Sequence, residues 1–123
     1  LNSRMKLFPN EGNSRAAITM KGIEFNSICE HHWLPFFGEV TVSYVPKDSI
    51  IGLSKIPRVI KYFSKKPQLQ ERLTQEIGQY LVKLLDPIYL SVELSATHTC
   101  VMCRGAESCC DTETYFHYAY EKN

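Results

Sequence analysis

The sequence predicts an α+β domain in which a four-stranded antiparallel sheet carries two helices on one face. Three observations predict it. Alternating apolar and polar residues mark two strands before Pro46 and two after Pro87. Apolar residues at helical spacing mark two helices between them. The resulting order, strand, strand, helix, helix, strand, strand, segregates helices from strands, which favours α+β layering over a parallel sheet. At 123 residues the chain suits one domain and is too short for two of ordinary size. Residues 1–123 are therefore read as a single domain, with an irregular segment over 1–15.

Pro9-Asn10-Glu11-Gly12-Asn13-Ser14 is a turn cluster. Residues 16–28 suit a long strand, with an irregularity near Gly22. Pro35-Phe36-Phe37-Gly38 reads as a break, followed by a strand with Val40, Val42 and Tyr44 on one face. Pro46-Lys47-Asp48 ends it. Ser54 is the N-cap expected for the first helix, and Pro57 is tolerated in its first turn. Ile56, Val59, Ile60 and Phe63 share its apolar face, and Lys65-Lys66-Pro67 closes it. The second helix covers about residues 69–85, with Leu73, Ile77, Tyr80, Leu81 and Leu84 as its stripe, and Asp86-Pro87 stops it.

In the third strand Leu90, Val92, Leu94 and Ala96 alternate with polar residues. Carried forward, the alternation puts His98 and Cys100 on the face of Leu94 and Ala96. The last strand, about residues 112–121, carries Tyr115, Phe116, Tyr118 and Tyr120, with His117 exposed or structural. Two helices cover one face only. The other face and both edges are expected to be closed by neighbouring subunits.

A formal net charge of +1 gives no broad attraction to nucleic acid or to a membrane surface. No apolar run reaches the length of a membrane span. The first residues have no apolar core of a signal peptide, and the chain does not begin with Met. Five cysteines, an odd number without a secretory signal, argue against a disulfide framework and for a reducing cytoplasm. Cys103, Cys109 and Cys110 read as incidental thiols more readily than as a second metal site.

Two segments carry the chemistry. Cys29-Glu30-His31-His32 and Thr97-His98-Thr99-Cys100 together offer two thiols and three imidazoles. Zn²⁺ takes Cys sulfur and His nitrogen, and a catalytic site uses three protein ligands and leaves a fourth position open. A Cys-x-x-His pair plus a distant Cys fits that pattern. The remaining histidines could then move protons. Two blander readings stand beside it: buried thiols with a core histidine, or a closed structural zinc with His31 or His98 as fourth ligand.

Four blocks resemble the signature segments of the GTP cyclohydrolase I family. They are Ser27-Ile28-Cys29-Glu30-His31-His32, Ile51-Gly52-Leu53-Ser54-Lys55-Ile56-Pro57-Arg58, Gln68-Leu69-Gln70-Glu71-Arg72-Leu73-Thr74 and His98-Thr99-Cys100-Val101-Met102-Cys103-Arg104-Gly105. They stand in the family's order over residues 22–105. The resemblance implies a tunnelling fold, a ββααββ unit that oligomerises into a β-barrel ring with active sites between subunits. It implies zinc ligands Cys29, His32 and Cys100, and catalytic roles for His31 and His98. Glu71 matches the carboxylate that holds the guanine edge, with Gln70 beside it. Ser54, Lys55, Arg58 and Arg104 match residues facing ribose and triphosphate. The implied reaction hydrolyses the purine imidazole ring of GTP to 7,8-dihydroneopterin triphosphate and formate. The implied location is the cytoplasm, or a host cytoplasm for a phage-encoded chain.

The chain departs from the family in two places. Nothing before Cys29 resembles the family's helical extension with its Thr-Pro-x-Arg-x-x-Lys-like segment. After Arg104-Gly105 the stretch Ala106-Glu107-Ser108-Cys109-Cys110-Asp111 is acidic, and Glu107 and Asp111 would repel a triphosphate. Both features leave room for a second substrate, a 7-deazaguanine, with decarboxylation of 7-carboxy-7-deazaguanine as the example from short phage relatives. A third reading, of another class, is a non-catalytic purine-binding ring.

Overall fold

The computed structural model describes residues 5–99 and 111–121. Strand β2 (Ile18–Ile28) pairs with β3 (Pro35–Val45), β3 with β5 (Tyr89–His98), and β5 with β6 (Thr112–Ala119), all antiparallel, in the sheet order β2-β3-β5-β6. Helices α1 (Lys55–Ser64) and α2 (Gln70–Leu85) lie between β3 and β5 in sequence and pack on one face of this sheet. The expected α+β architecture is the one observed.

Period-two alternation places the core. Val40, Val42, Tyr44, Leu90, Val92, Leu94 and Ala96 are all buried beneath the helices. From the other side come Ile56, Val59 and Ile60 of α1 and Leu73, Ile77 and Leu81 of α2. Burying each such side chain contributes about 1.5–3 kcal/mol. Tyr80 and Leu84 flank the α2 stripe and are partly buried. The irregularity near Gly22 is a register shift between Met20 and Ile23, where Gly22 takes φ +69°. Asp86 ends α2 in the left-handed region and donates its N–H to Val82 O (2.9 Å).

Three expectations need correction. The segment 1–15 is not wholly irregular: β1 (Leu7–Pro9) pairs antiparallel with β4 (Ser49–Ile51), which seats Ile51 in the core. Strand β3 begins at Pro35 rather than after Gly38. Pro is admitted as a strand's first residue, and Gly38 gives β3 its close approach to β5. Ser54 stands at the cap of α1, but its backbone is helical (φ −69°, ψ −11°) and its side chain makes no capping hydrogen bond.

The sheet face away from the helices is polar with large apolar residues interspersed. Ile28, Phe37, Tyr89 and Tyr115 are all exposed there. Among the described residues, the edge strands β2 and β6 have no second neighbour in the four-stranded sheet.

Candidate functional site

One end of the sheet gathers most of the candidate residues. Strand β2 ends opposite the start of β3 (Ile28 across from Pro35), and β5 ends with His98 across from Phe36. Between β2 and β3 the chain makes one tight turn. Trp33 N–H donates to Cys29 O and Cys29 N–H to Leu34 O, both at 2.8 Å, with Trp33 at φ +56°. The turn is also tied to the entry of α2. Gln68 N–H donates to Ile28 O (2.9 Å), and Glu30 N–H to Gln68 O (3.0 Å). Cys29 is thereby buried, whereas His31 and His32 are exposed on the turn.

The turn brings Cys29 Sγ and His32 Nδ1 to 4.0 Å. Bond lengths of 2.3 and 2.0–2.1 Å at a tetrahedral angle require about 3.5 Å between S and N ligands. The pair thus fits a shared zinc after a small side-chain adjustment. Cys100, the third expected ligand, lies outside the described residues, as do Arg104, Cys103, Cys109 and Cys110. Among the described residues no three His, Cys, Asp or Glu side chains form a metal cluster. The ring of His31 meets that of His32 edge-on, with centroids 6.3 Å apart.

His98 is held on two sides. Its Nε2 lies 2.6 Å from Gln70 Oε1, and its ring stacks on Phe36 at 4.8 Å and 6°. Burial pushes its pKa below the ordinary histidine value, partly opposed by the nearby charge of Glu71. Gln70 itself is buried, and its Nε2 donates to Thr112 O (2.7 Å), Thr114 Oγ1 (3.3 Å) and Leu94 O (3.4 Å). Its amide therefore faces the protein, unlike that of a residue open to ligand. Glu71, one residue on, is exposed and lines a pocket of about 460 Å³ with Thr74, Gln75, Thr114, Tyr115, Phe116 and His117. That pocket opens at the β6 edge of the sheet.

An ionic network braces the turn from α2. Arg72 donates to Glu30, to Gln68 Oε1 (3.0 Å) and to Pro67 O (3.2 Å), and Gln68 Nε2 donates to Phe63 O (2.9 Å). The hydrogen bond from Arg72, with its charge, holds the Glu30 carboxyl below the ordinary carboxylate range. A depressed carboxyl stabilises the fold while ionised and stops doing so as pH falls through its folded-state pKa. Arg72→Met should therefore unfold at lower urea than the parent at pH 7, and the difference should shrink under acid conditions. A difference that persisted unchanged in acid would show that the Arg72 stem, and not its charge, supports the turn.

Ser54, Lys55 and Arg58 stand elsewhere. Helix α1 follows β4; its Pro57 and Ser64 line a pocket with Ile28 and Pro35, and just past its C-terminus Ser27 Oγ donates to Lys66 O (3.2 Å). Its ten residues span about 15 Å. Within one chain, among the described residues, no hydrogen bond or ion pair joins Ser54, Lys55 or Arg58 to His98 or Glu71. Sequence reasoning missed Phe36, Gln68, Arg72 and Glu30 as supports. Only the four-residue spacing of Gln68 and Arg72 carried a local signal.

Comparison with known proteins agrees with this architecture. The family model described as GTP cyclohydrolase I matches residues 2–121. A GTP cyclohydrolase 1 from Aquifex aeolicus (strain VF5) is 46% identical over 107 residues, covering 87% of this chain and 58% of the relative. One from Leptospira biflexa serovar Patoc (strain Patoc 1 / Ames) is 45% identical over 97 residues, covering 79% of this chain and 53% of the relative. The chain thus spans little more than half the length of these curated relatives. Among solved structures, the archaeosine synthase QueF-Like in its apo form superposes with a TM-score of 0.67 at 15% identity, covering 89% of this chain and 99% of that one. That likeness identifies the fold as a tunnelling fold.

Proposed function

The chain belongs to the GTP cyclohydrolase I family, and from that premise we propose that it hydrolyses the imidazole ring of GTP, releasing formate and 7,8-dihydroneopterin triphosphate. The observation that carries the reading is the convergence of the Cys29–His32 pair, the braced His98 and Glu71 at one end of the sheet. Cys29, His32 and Cys100 would hold zinc, which when bound supplies a hydrolytic nucleophile at neutral pH.

The other steps belong to the chain's own side chains. Glu71 accepts hydrogen bonds from guanine N1–H and the exocyclic amine, which sets base specificity. His98, neutral at working pH, accepts and returns protons beside the purine, and exposed His31 is the second proton carrier. One water is consumed: the purine C8 leaves as formate, and the opened ring and sugar carbons close as the pterin. Lys55, Arg58 and Arg104 bind the triphosphate. Lys55 and Arg58 stand on α1 and do not line the Glu71 pocket; in this reading a neighbouring subunit supplies them, and the active form is a homo-oligomeric ring in the cytoplasm.

Zinc-loaded protein incubated with GTP should yield formate and a dihydropterin triphosphate, read by mass spectrometry, in amounts far above the enzyme. His31→Ala should lose that turnover while still binding purine and zinc; a purine-binding ring would have no turnover to lose. Absence of product from zinc-replete, assembled protein would overturn the GTP reading and favour a 7-deazaguanine without a triphosphate.

A further inference from the structure

We propose that Gln70 is a positioning residue, not a substrate contact: it selects the Nε2-protonated tautomer of His98 and leaves Nδ1 as the nitrogen that exchanges protons. The inference deepens the reading of His98 as a proton carrier and rests on it. Its basis is the orientation of one buried amide. Gln70 is 2% exposed, and three oxygens, Leu94 O, Thr112 O and Thr114 Oγ1, lie within hydrogen-bond distance of its Nε2. Two of these are backbone carbonyls, which can only accept. An inverted amide would set Oε1 against them, so the NH₂ group must point that way.

Thr74 makes the arrangement stricter. Its Oγ1 lies 2.6 Å from Thr114 Oγ1 and donates to Gln70 O (3.0 Å). Its one proton is thus engaged, so Thr114 donates to Thr74 and is left as an acceptor for Gln70. With Nε2 of Gln70 fixed by its three partners, Oε1 has to face His98, and Oε1 is an acceptor only. At 2.6 Å the facing His98 Nε2 must then carry the proton. In the neutral ring the remaining lone pair resides on Nδ1. The stack on Phe36 keeps the ring in the plane that this hydrogen bond requires.

The test is a ¹⁵N spectrum of histidine-labelled, zinc-loaded protein, with His98→Asn used to assign the His98 signals. The expected result is a pyrrole-type Nε2 and a pyridine-type Nδ1 for His98. A pyrrole-type Nδ1 would overturn the assignment. Gln70→Met, which keeps the bulk and removes the acceptor, should mix the two tautomers and lower kcat about 10- to 100-fold with KM nearly unchanged. A raised KM at unchanged kcat would instead make Gln70 a substrate contact. The parent spectrum decides the tautomer even if the variant does not fold, and it does so whether or not GTP is turned over.

Discussion

His32→Ala should lose the metal and the activity together. Formate release should fall by about 10³-fold or more, the scale of several kcal/mol of metal-derived stabilisation. His32 is exposed at the turn, and its one described polar approach is to Cys29 Sγ. Its removal should therefore leave the melting temperature of metal-free protein close to that of the metal-free parent. His31→Ala is the matched control. It alters a neighbouring exposed imidazole and should keep the zinc while lowering turnover by about 10²–10⁴-fold. Metal content and formate release, measured on the same preparations, separate the two cases. A His32→Ala protein that retained one zinc per subunit would remove His32 from the ligand set and move the role to His31 or His98.

Gly38→Ala should be among the most damaging substitutions available in the sheet. A Cβ at that position would lie 1.9 Å from Ser95 O and 2.8 Å from Ala96 Cα. Both are backbone atoms of the paired strand β5, so neither can move without parting the ladder that also sets Phe36 opposite His98. The expected loss is about 4 kcal/mol or more, large enough to leave little folded protein. Gly22→Ala is the contrast. There φ is +69° and nothing lies within 4 Å of the added carbon, so only the left-handed backbone is penalised, by about 1–2 kcal/mol. Urea midpoints would rank the two. Equal, mild losses would mean that β3 and β5 approach less closely at Gly38.

The central strands and helices were legible because burial imposes a period on them. Val40, Val42 and Tyr44, and Leu90 through Ala96, alternate because one face packs on the helices and the other does not. The short β1 and β4 carry no period at three residues each. Pro35 and Gly38 read as a break from local chemistry, whereas what admits them is the first position of a strand and a neighbour's backbone. The Cys29–His32 pair was legible because a three-residue spacing within one turn is itself local. The surroundings of Gln70 were not legible, for the opposite reason. Its partners Leu94, Thr112 and Thr114 lie 24–44 residues away in the chain, and no window of sequence contains them. The Arg72–Glu30 pair, 42 residues apart, escaped notice in the same way.

The placement of the basic residues on α1 and of His98 on β5 has a genetic consequence in a ring of shared pockets. If every pocket joins the α1 end of one subunit to the His98 end of another, a lesion at either end spoils a different half of each pocket. Arg58→Ala and His98→Ala homomers would each be inactive, because every pocket in them lacks one half. Co-assembled in a mixed ring, some junctions would pair an intact α1 end with an intact His98 end. About one junction in four would do so at equal, random mixing, and two dead alleles would complement one another.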